Sequence, residues 1–246
     1  MRRHLAACLF ALSFVLGVSS KGLAGADSFT TIDFAGATAT SAWGINPRGD
    51  IVGQYLTPNR VRGYLLLGGK FAAIDYPGAA FSFPRGINRR GDIVGQYVDP
   101  NSPSFFHHGY MLSRGIFFTF DFPGATETFA FGINSRGDIV GQYTIGTSAH
   151  GFRLSGGEFV SIDFPGASGT IASGINSEGD IVGQYTIGTS AHGFRLSEGE
   201  FVSIDFPGAS STIARGINSR GDIIGQYTSD GTTHSFLIHG GHYCPN

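Results

Sequence analysis

The stretch GINSRGDIVGQY, residues 132–143, recurs with small changes along this chain and decides its fold. Its opening glycine is found at five positions, separated by 42, 46, 42 and 42 residues. The aspartate of a second motif, of the type Ile-Asp-Phe, returns at the same intervals. Self-similarity at a fixed period of this kind indicates a repeat architecture. The glycines are Gly44, Gly86, Gly132, Gly174 and Gly216, and the aspartates are Asp33, Asp75, Asp121, Asp163 and Asp205.

Each repeat contains four short apolar segments separated by turn residues. In the third repeat we expect strands at residues 128–134, 138–143, 150–154 and 159–164. The turn between the first two strands has the pattern Asn-x-x-Gly-Asp, which suits a type I turn followed by a glycine with positive φ. Four strands joined by short turns predict one antiparallel sheet per repeat.

Five such sheets predict an all-β protein, a five-bladed β-propeller with four-stranded blades. The chain would begin with an outermost strand, Phe29 to Phe34, that has no blade of its own. It would end with a third strand, His234 to His239, that has no outermost partner. Pairing the N-terminal strand with the C-terminal strand would complete the fifth blade, and we therefore expect a closed ring without exposed sheet edges.

The combined motif resembles that of a known family. Gly-Ile-Asn-x-x-Gly-x-Ile-Val-Gly followed by His-x-Phe is similar to the extracellular repeat named for its His-Ala-Phe motif (HAF), found in exported bacterial proteins. The resemblance covers residues 29–240. The chain departs from it with His-Gly-Phe at 150–152 and 192–194, Arg-Gly-Tyr at 62–64 and His-Ser-Phe at 234–236. The resemblance implies export and repetition, and it supplies no catalytic residue or ligand.

Residues 1–26 have the features of a secretory signal peptide. Two arginines precede an apolar run at residues 5–18, and small residues follow, with Ala24 and Ala26 placed for cleavage after Ala26. The run is shorter than the roughly 20 residues that span a bilayer. Lipidation of Cys8 is the alternative, but most of the apolar run follows that cysteine instead of preceding it. We expect a protein that is secreted to the extracellular space.

The remaining residues, 27–246, should form a single acidic propeller domain. Of 16 Lys and Arg residues, three lie in the signal segment, which leaves 13 against 18 Asp and Glu, a formal charge of −5. This charge disfavours nucleic acid as a partner. Cys244 is then the sole cysteine, so no disulfide can form within the chain, and pairing with another chain stays open. We expect a monomer without a cofactor and without a membrane span.

Two repeated polar sets invite a metal interpretation that we do not favour. The Ile-Asp-Phe aspartates precede tight turns, where a carboxylate can accept hydrogen bonds from turn amides. The histidines are spread one per repeat, and equivalent positions on radiating blades are too far apart to share an ion. We expect packed or hydrogen-bonded side chains at His108, His150, His192 and His234, with Arg62 at the fifth place.

The tripeptide Arg-Gly-Asp is a known integrin-binding signal, but here it falls inside the predicted hairpin turn of four repeats. In the remaining repeat Glu178 replaces the arginine, which indicates a turn role for the Gly-Asp pair. We therefore prefer a structural interpretation to an adhesive one.

A catalytic site normally needs unlike residues around one cavity. The acids that are not repeated fall mostly in predicted turns, and the chain has no nucleophile elbow, phosphate loop or dinucleotide fingerprint. We therefore expect a protein that is not an enzyme, with a secreted glycosidase-like enzyme as the alternative. The non-repeated acids are Asp99, Glu127, Glu178, Glu198 and Asp230.

Positions that vary between otherwise matching repeats are the better candidates for ligand binding. The residue before each Gly-Ile-Asn varies most usefully, because Trp and Phe can stack on sugars and Arg can bind carboxylates or hydroxyls. Packing between blades is the alternative interpretation of this position. A four-residue insertion, with Phe105, Phe106 and His107, predicts an exposed aromatic loop that could contact a partner. The candidate ligand residues are Trp43, Arg85, Phe131, Ser173 and Arg215.

These features predict a non-catalytic binding or scaffold module, with extracellular glycan as the expected ligand class by analogy with five-bladed lectins. A purely structural role in the envelope or matrix is a further alternative. Residues 132–168 and 174–210 differ only at two positions, where Arg136 and Gly156 correspond to Glu178 and Glu198. Because whole blades are duplicated, we expect equivalent sites on several blades, which would allow multivalent binding, in preference to one site at the mouth of the channel.

Overall fold

The computed structural model describes residues 30–102 and 105–240, in which every helix or strand element is a β-strand. Several residues discussed above lie outside the described residues. They are the signal segment with Cys8, Ala24 and Ala26, the first residue of the predicted N-terminal strand, Phe29, and Cys244.

The described residues contain 19 strands, which fall into five blades. Blade 1 contains β1 Ala39–Ile45, β2 Ile51–Thr57, β3 Arg60–Leu67 and β4 Lys70–Ala73, and blade 2 contains β5 Phe81–Ile87, β6 Ile93–Val98, β7 His107–Ser113 and β8 Ile116–Phe120. Blade 3 contains β9 Glu127–Ile133, β10 Ile139–Ile145, β11 Ser148–Ser155 and β12 Glu158–Ile162. Blade 4 contains β13 Gly169–Ile175, β14 Ile181–Ile187, β15 Ser190–Ser197 and β16 Glu200–Ile204, and blade 5 contains β17 Ser211–Ile217, β18 Ile223–Ser229 and β19 Thr232–Ile238.

Each blade is an antiparallel sheet in which consecutive strands are neighbours. The first strand of each blade is its inner strand. The chain is therefore an all-β, five-bladed β-propeller, as the sequence predicts.

The turns follow the predicted chemistry. In the first Asn-x-x-Gly-Asp turn the Gly49 amide donates to the Asn46 carbonyl at 2.9 Å, and Gly49 has φ +81°. Such a φ favours glycine. The Asn46 side-chain oxygen also accepts from the amides of Arg48 and Asp50, which explains why asparagine stands at this corner. The predicted hairpin turn with a positive-φ glycine is confirmed.

Successive blades pack through equivalent positions. Val140 of blade 3 is fully buried and lies in one apolar cluster with Ala172, Ile175 and Ile181 of blade 4. Fully burying a side chain of this size stabilises a fold by about 1.5–3 kcal/mol. The corresponding fully buried valines at the other junctions are Val52, Val94 and Val182.

Asparagine side chains also connect blades 1 to 4. The Asn46 Nδ2 donates to the carbonyl of Asn88 at 3.1 Å. Asn88 reaches the carbonyl of Asn134 at 3.2 Å, and Asn134 reaches that of Asn176 at 3.1 Å. The asparagine of each of these three turns thus orders its own hairpin and also bonds the next blade.

The junction between blade 5 and blade 1 is different. Ile224 takes the place of the buried valines but is 56% exposed. On blade 1, Ala42 is exposed and Ile45 is 67% exposed, whereas Ile175 at the same place in blade 4 is 8% exposed. Among the residues that the structure describes, the ring is open at this junction.

The predicted closure of blade 5 is therefore not formed by the described residues. β19 pairs only with β18, and residues 30–34 do not belong to a strand. The physical reason is the exposed junction, because a strand shared by blades 5 and 1 requires the two blades to be packed side by side. In the described part of the chain the fifth blade has three strands and not the expected four.

Candidate functional site

All five candidate ligand residues lie at β-bulges. In each inner strand the pairing with the second strand skips one residue, and the skipped residue is the one that precedes Gly-Ile-Asn. A bulged residue leaves the regular ladder and its side chain is re-aimed, and bulges are common beside functional sites. These five residues, the bulge row, are Trp43, Arg85, Phe131, Ser173 and Arg215.

The glycine after each bulge allows neighbouring inner strands to approach closely. A Cβ atom on Gly44 would lie 2.7 Å from the carbonyl oxygen of Arg85, which is too close for any real side chain. A Cβ on Gly86 would lie 2.9 Å from the carbonyl oxygen of Phe131. The bulge residue of one blade thus packs its backbone against the glycine of the preceding blade, and this contact sets the bulge row side by side.

Trp43 and Arg85 form the most specific contact of the bulge row. The guanidinium carbon of Arg85 lies 4.1 Å from the centroid of the Trp43 ring, within the range of a cation–π interaction. Trp43 is 51% exposed, so the indole is open to solvent as well. Burial lowers the pKa of Arg85, which a nearby tyrosine, Tyr110, counteracts. Aromatic and guanidinium groups are thus held together on two adjacent blades.

Phe131, the bulge residue of the next blade, belongs to an aromatic strip on blades 2 and 3 that was not predicted from the sequence. Its ring stacks against Phe129, two residues earlier in β9, at 6.3 Å. Phe129 lies 4.6 Å from the ring of His107, which lies 5.9 Å from Phe83 on the inner strand of blade 2. Sequence could have revealed these residues, since positions 83 and 129 are aromatic where the equivalent positions 41, 171 and 213 are not.

Blades 4 and 5 present a different surface at the same row. Ser173 is partly buried and Arg215 is exposed. Neither forms a ring contact or ion pair within the described parts of the chain. The structure therefore places aromatic and cationic residues, Trp43, Arg85 and Phe131, on three consecutive blades. On blades 4 and 5 the same row continues with the small Ser173 and the exposed Arg215.

The insertion in blade 2 is only partly the exposed loop that was predicted. Phe105 is 60% exposed and adopts a positive φ of 54°, and Phe106 is partly buried. His107, however, is the first residue of β7, and its Nδ1 lies 2.9 Å from Glu127 Oε1. The prediction was wrong for His107, because pairing with Val98 extends the strand to this residue.

Phe105 lines a cleft of about 560 Å³ between blades 1 and 2. Arg62 and Asp75 also line this cleft, joined by an ion pair of 2.8 Å. Arg62 stands where the other repeats have histidine. The insertion, through Phe105, and the histidine replacement at Arg62 thus line the same open cleft.

His108, His150 and His192 are hydrogen bonded and His234 packs on Tyr227, as expected, but the aspartates beside the three bonded histidines have an unexpected partner. His150 Nδ1 lies 2.8 Å from Asp163 Oδ1, and Ser161 Oγ donates to Asp163 Oδ2 at 2.6 Å. The amide of the following turn, at Phe164, bonds instead to Thr170 Oγ1 at 3.0 Å. The aspartates were predicted to accept from turn amides, which is wrong here because the histidine of the neighbouring strand occupies the carboxylate.

The Arg-Gly-Asp turns contain local ion pairs. Arg48 Nη2 lies 2.8 Å from Asp50 Oδ2, and the Asp50 carboxylate is nearly buried. A hydrogen bond from Asn46, outweighing the effect of burial, keeps the pKa of Asp50 below its usual value. In blade 4, where Glu178 replaces the turn arginine, Arg195 reaches the aspartate, Asp180, at 2.8 Å instead.

The non-repeated acids considered for catalysis have local partners or lie in turns. Glu127 is engaged by His107, Asp99 accepts from the Asn101 amide at 2.8 Å, and Glu178 accepts from Ser177. Glu198 and Asp230 have positive φ angles in hairpin turns of blades 4 and 5. In residues 30–102 and 105–240 no group of three or more His, Cys, Asp or Glu could hold a metal ion. The same residues contain no helix that is long and apolar enough to cross a membrane.

Comparisons with known proteins find distant structural similarity only. No family model and no curated protein matches this chain. The propeller domain of the trilobed protease from Pyrococcus furiosus, which has an open velcro topology, is 12% identical with a TM-score of 0.46, over 82% of this chain and 81% of that chain. A candidate gluconolactonase is 15% identical with a TM-score of 0.44, over 80% of this chain and 74% of that chain. Similarity at this level carries no argument, and the resemblance to the HAF repeat stays a prediction.

Proposed function

We propose that this protein is a secreted, non-catalytic glycan-binding module whose site is the part of the bulge row on blades 1 to 3. The observation that carries the proposal is the contact of Arg85 with Trp43, at 4.1 Å, next to the aromatic strip that ends at Phe131. Aromatic rings bind the apolar faces of sugars, and guanidinium groups bind their polar substituents. Both groups lie at bulged positions, which leave the regular strand pairing.

A single site on the bulge row is preferred to equivalent sites on every blade. The repeated polar groups bond one another, as His150, Asp163 and Ser161 do in blade 3. Tyr143 of the same blade stacks on His150 at 5.1 Å and bonds Ser161 through its hydroxyl at 2.9 Å. A ligand would have to displace these internal bonds in each blade, whereas the half-exposed Trp43 ring is open to solvent.

A glycan array on the exported protein tests the ligand class, and titration calorimetry with the best glycan then tests the site. We expect one site per chain. Replacing Trp43 by Ala should weaken binding by roughly two- to tenfold, since stacking on an aromatic residue contributes about 0.5–1.5 kcal/mol. Ser173→Ala is the matched control, because it changes the same bulge position of blade 4 and should leave the affinity unchanged.

Thermal unfolding of both variants checks that each one folds. Absence of any glycan ligand would overturn the proposal. A stoichiometry above one, with equal affinity in the two variants, would instead favour sites on several blades.

A further inference from the structure

Arg85 has no carboxylate partner, whereas half of the twelve arginines that the structure describes have one. Six arginines lie 2.8–3.1 Å from an aspartate. Within residues 30–102 and 105–240, the Arg85 side chain forms no ion pair and no hydrogen bond, and its Nε atom is buried without a partner. The paired arginines are Arg48, Arg62, Arg90, Arg136, Arg195 and Arg220.

An unpaired, partly buried cation is unfavourable unless a counter-charge reaches it. The lowered pKa of Arg85, caused by burial, is consistent with this situation. Substitution by an apolar residue would remove the cost. The guanidinium instead occupies a bulged position, where it is stacked on Trp43.

The stacking also fixes the direction in which Arg85 can bond. A guanidinium that stacks on an aromatic ring presents its N–H groups in the plane of the guanidinium, away from the ring. These in-plane donors match the oxygen atoms of a carboxylate, a sulfate or a phosphate. Arg215, at the same row position of blade 5, adds a second guanidinium without an ion pair in the described residues.

We propose that the glycan is acidic, and that Arg85 binds an anionic substituent of a sugar ring whose apolar face contacts Trp43. This inference rests on the proposed glycan-binding function and adds the ligand class. The one acid on the described inner strands, Glu127, is engaged by His107 at 2.9 Å and so does not supply the missing counter-charge. A carboxylate and a sulfate offer the same chemistry to Arg85.

Calorimetric titration of the full protein with three matched saccharide sets tests the inference. The sets are oligogalacturonate, neutral galacto-oligosaccharide and galactose sulfated at O6. We expect the acidic saccharides to bind at least about tenfold more tightly than the neutral set, because charge-assisted hydrogen bonds are about twice as strong as neutral ones. Comparison of oligogalacturonate with the sulfated sugar identifies which anion is preferred.

Two variants locate the anion site. Arg85→Met keeps a long side chain over Trp43 and removes the charge, so it should abolish the preference for acidic saccharides by weakening acidic binding much more than neutral binding. Arg215→Met is the matched control at the same row position and should retain most of the preference. Arg85→Lys keeps the charge without the planar guanidinium and should show an intermediate preference for acidic saccharides. This variant replaces Arg85→Met in the test if Arg85→Met does not fold.

Equal binding of acidic and neutral saccharides would overturn this inference but not the proposed function. The same holds for an acidic preference that survives Arg85→Met. Failure of all three sets, together with a negative glycan array, would overturn the proposed function itself.

Discussion

The junction between blades 3 and 4 and the two open faces of blades 5 and 1 use the same repeat positions with opposite results. At the first, Val140 is fully buried against Ala172 and Ile175. At the second, Ile224 and Ile45 are 56% and 67% exposed. Local sequence is therefore not enough to form a junction, because nearly the same apolar residues are buried in one place and exposed in the other.

Chain entropy does not account for the difference, because the fourth strands contribute to the closed junctions. Ile162 of β12 and Ile204 of β16 are buried in the clusters that join their blades to the next. Blade 5 has no fourth strand among its described residues and so lacks this contribution. The entropic cost of joining distant blades rises by only about 0.6 kcal/mol for each doubling of the loop, which is small beside the burial of two isoleucines.

The largest expected effect on stability comes from placing a charge at a buried junction between blades, compared with the same change on the open face of blade 5. Val182→Asp should destabilise the protein by about 3–5 kcal/mol, because the carboxylate would be buried without a partner. Ile224→Asp, at the equivalent position of blade 5, should change the free energy of unfolding by less than about 0.5 kcal/mol. Denaturant unfolding of both variants measures the difference. Equal destabilisation would show that blade 5 does pack on blade 1 in solution.

A smaller steric effect is expected at the glycines of the inner strands. Gly44→Ala would force a Cβ to within 2.7 Å of the Arg85 carbonyl oxygen, so the two blades must separate. We expect a loss of about 1–3 kcal/mol, the usual cost of overpacking. At Gly216 the atom nearest to an added Cβ would be a side-chain carbon of Ile224 at 3.4 Å, an ordinary contact. Similar melting temperatures for Gly44→Ala and Gly216→Ala would contradict the open junction.

The asparagine side chains allow a test of one hydrogen bond. Asn134 Nδ2 bonds both Asp138 at 2.8 Å and the carbonyl of Asn176 in the next blade. Asn218 makes the equivalent bond to Asp222 at 2.8 Å but has no bond to another blade in the described residues. Asn134→Ala should therefore cost about 1 kcal/mol more than Asn218→Ala, the typical contribution of one hydrogen bond. If the two variants unfold at the same denaturant concentration, the bond between blades contributes nothing.

The smallest expected effect is on the stability of the protein at acidic pH. A backbone hydrogen bond from Gly240, followed by those from Asn218 and Arg220, lowers the pKa of Asp222 to about 2. Because the folded pKa lies below the unfolded one, the stabilisation is fully present above about pH 4 and is lost as the pH falls toward 2. Asp222→Asn should flatten this part of the dependence of stability on pH, measured by unfolding at a series of pH values. An unchanged profile would argue against the bond from Gly240.

Sequence predicted the features that depend on local chemistry. The repeated Asn-x-x-Gly-Asp pattern predicted the turn at Gly49, and variation before Gly-Ile-Asn led to Trp43 and Arg85. The bulge itself was not predicted, because the repeated pattern does not show which residue of an inner strand is skipped in the pairing with the second strand. The position of His107 at the start of β7 was also missed, because the four-residue insertion before it obscures where the strand begins.

The bulge row has a consequence for how such a chain can diversify. Because a bulged residue has no partner across the strand, it can be exchanged with little effect on the hairpin that carries it, as the four kinds of side chain at these five equivalent positions show. Each duplicated blade therefore adds one adjustable position to a surface whose scaffold is already specified. The same property makes the row a natural set of library positions for selecting new specificities on an unchanged framework.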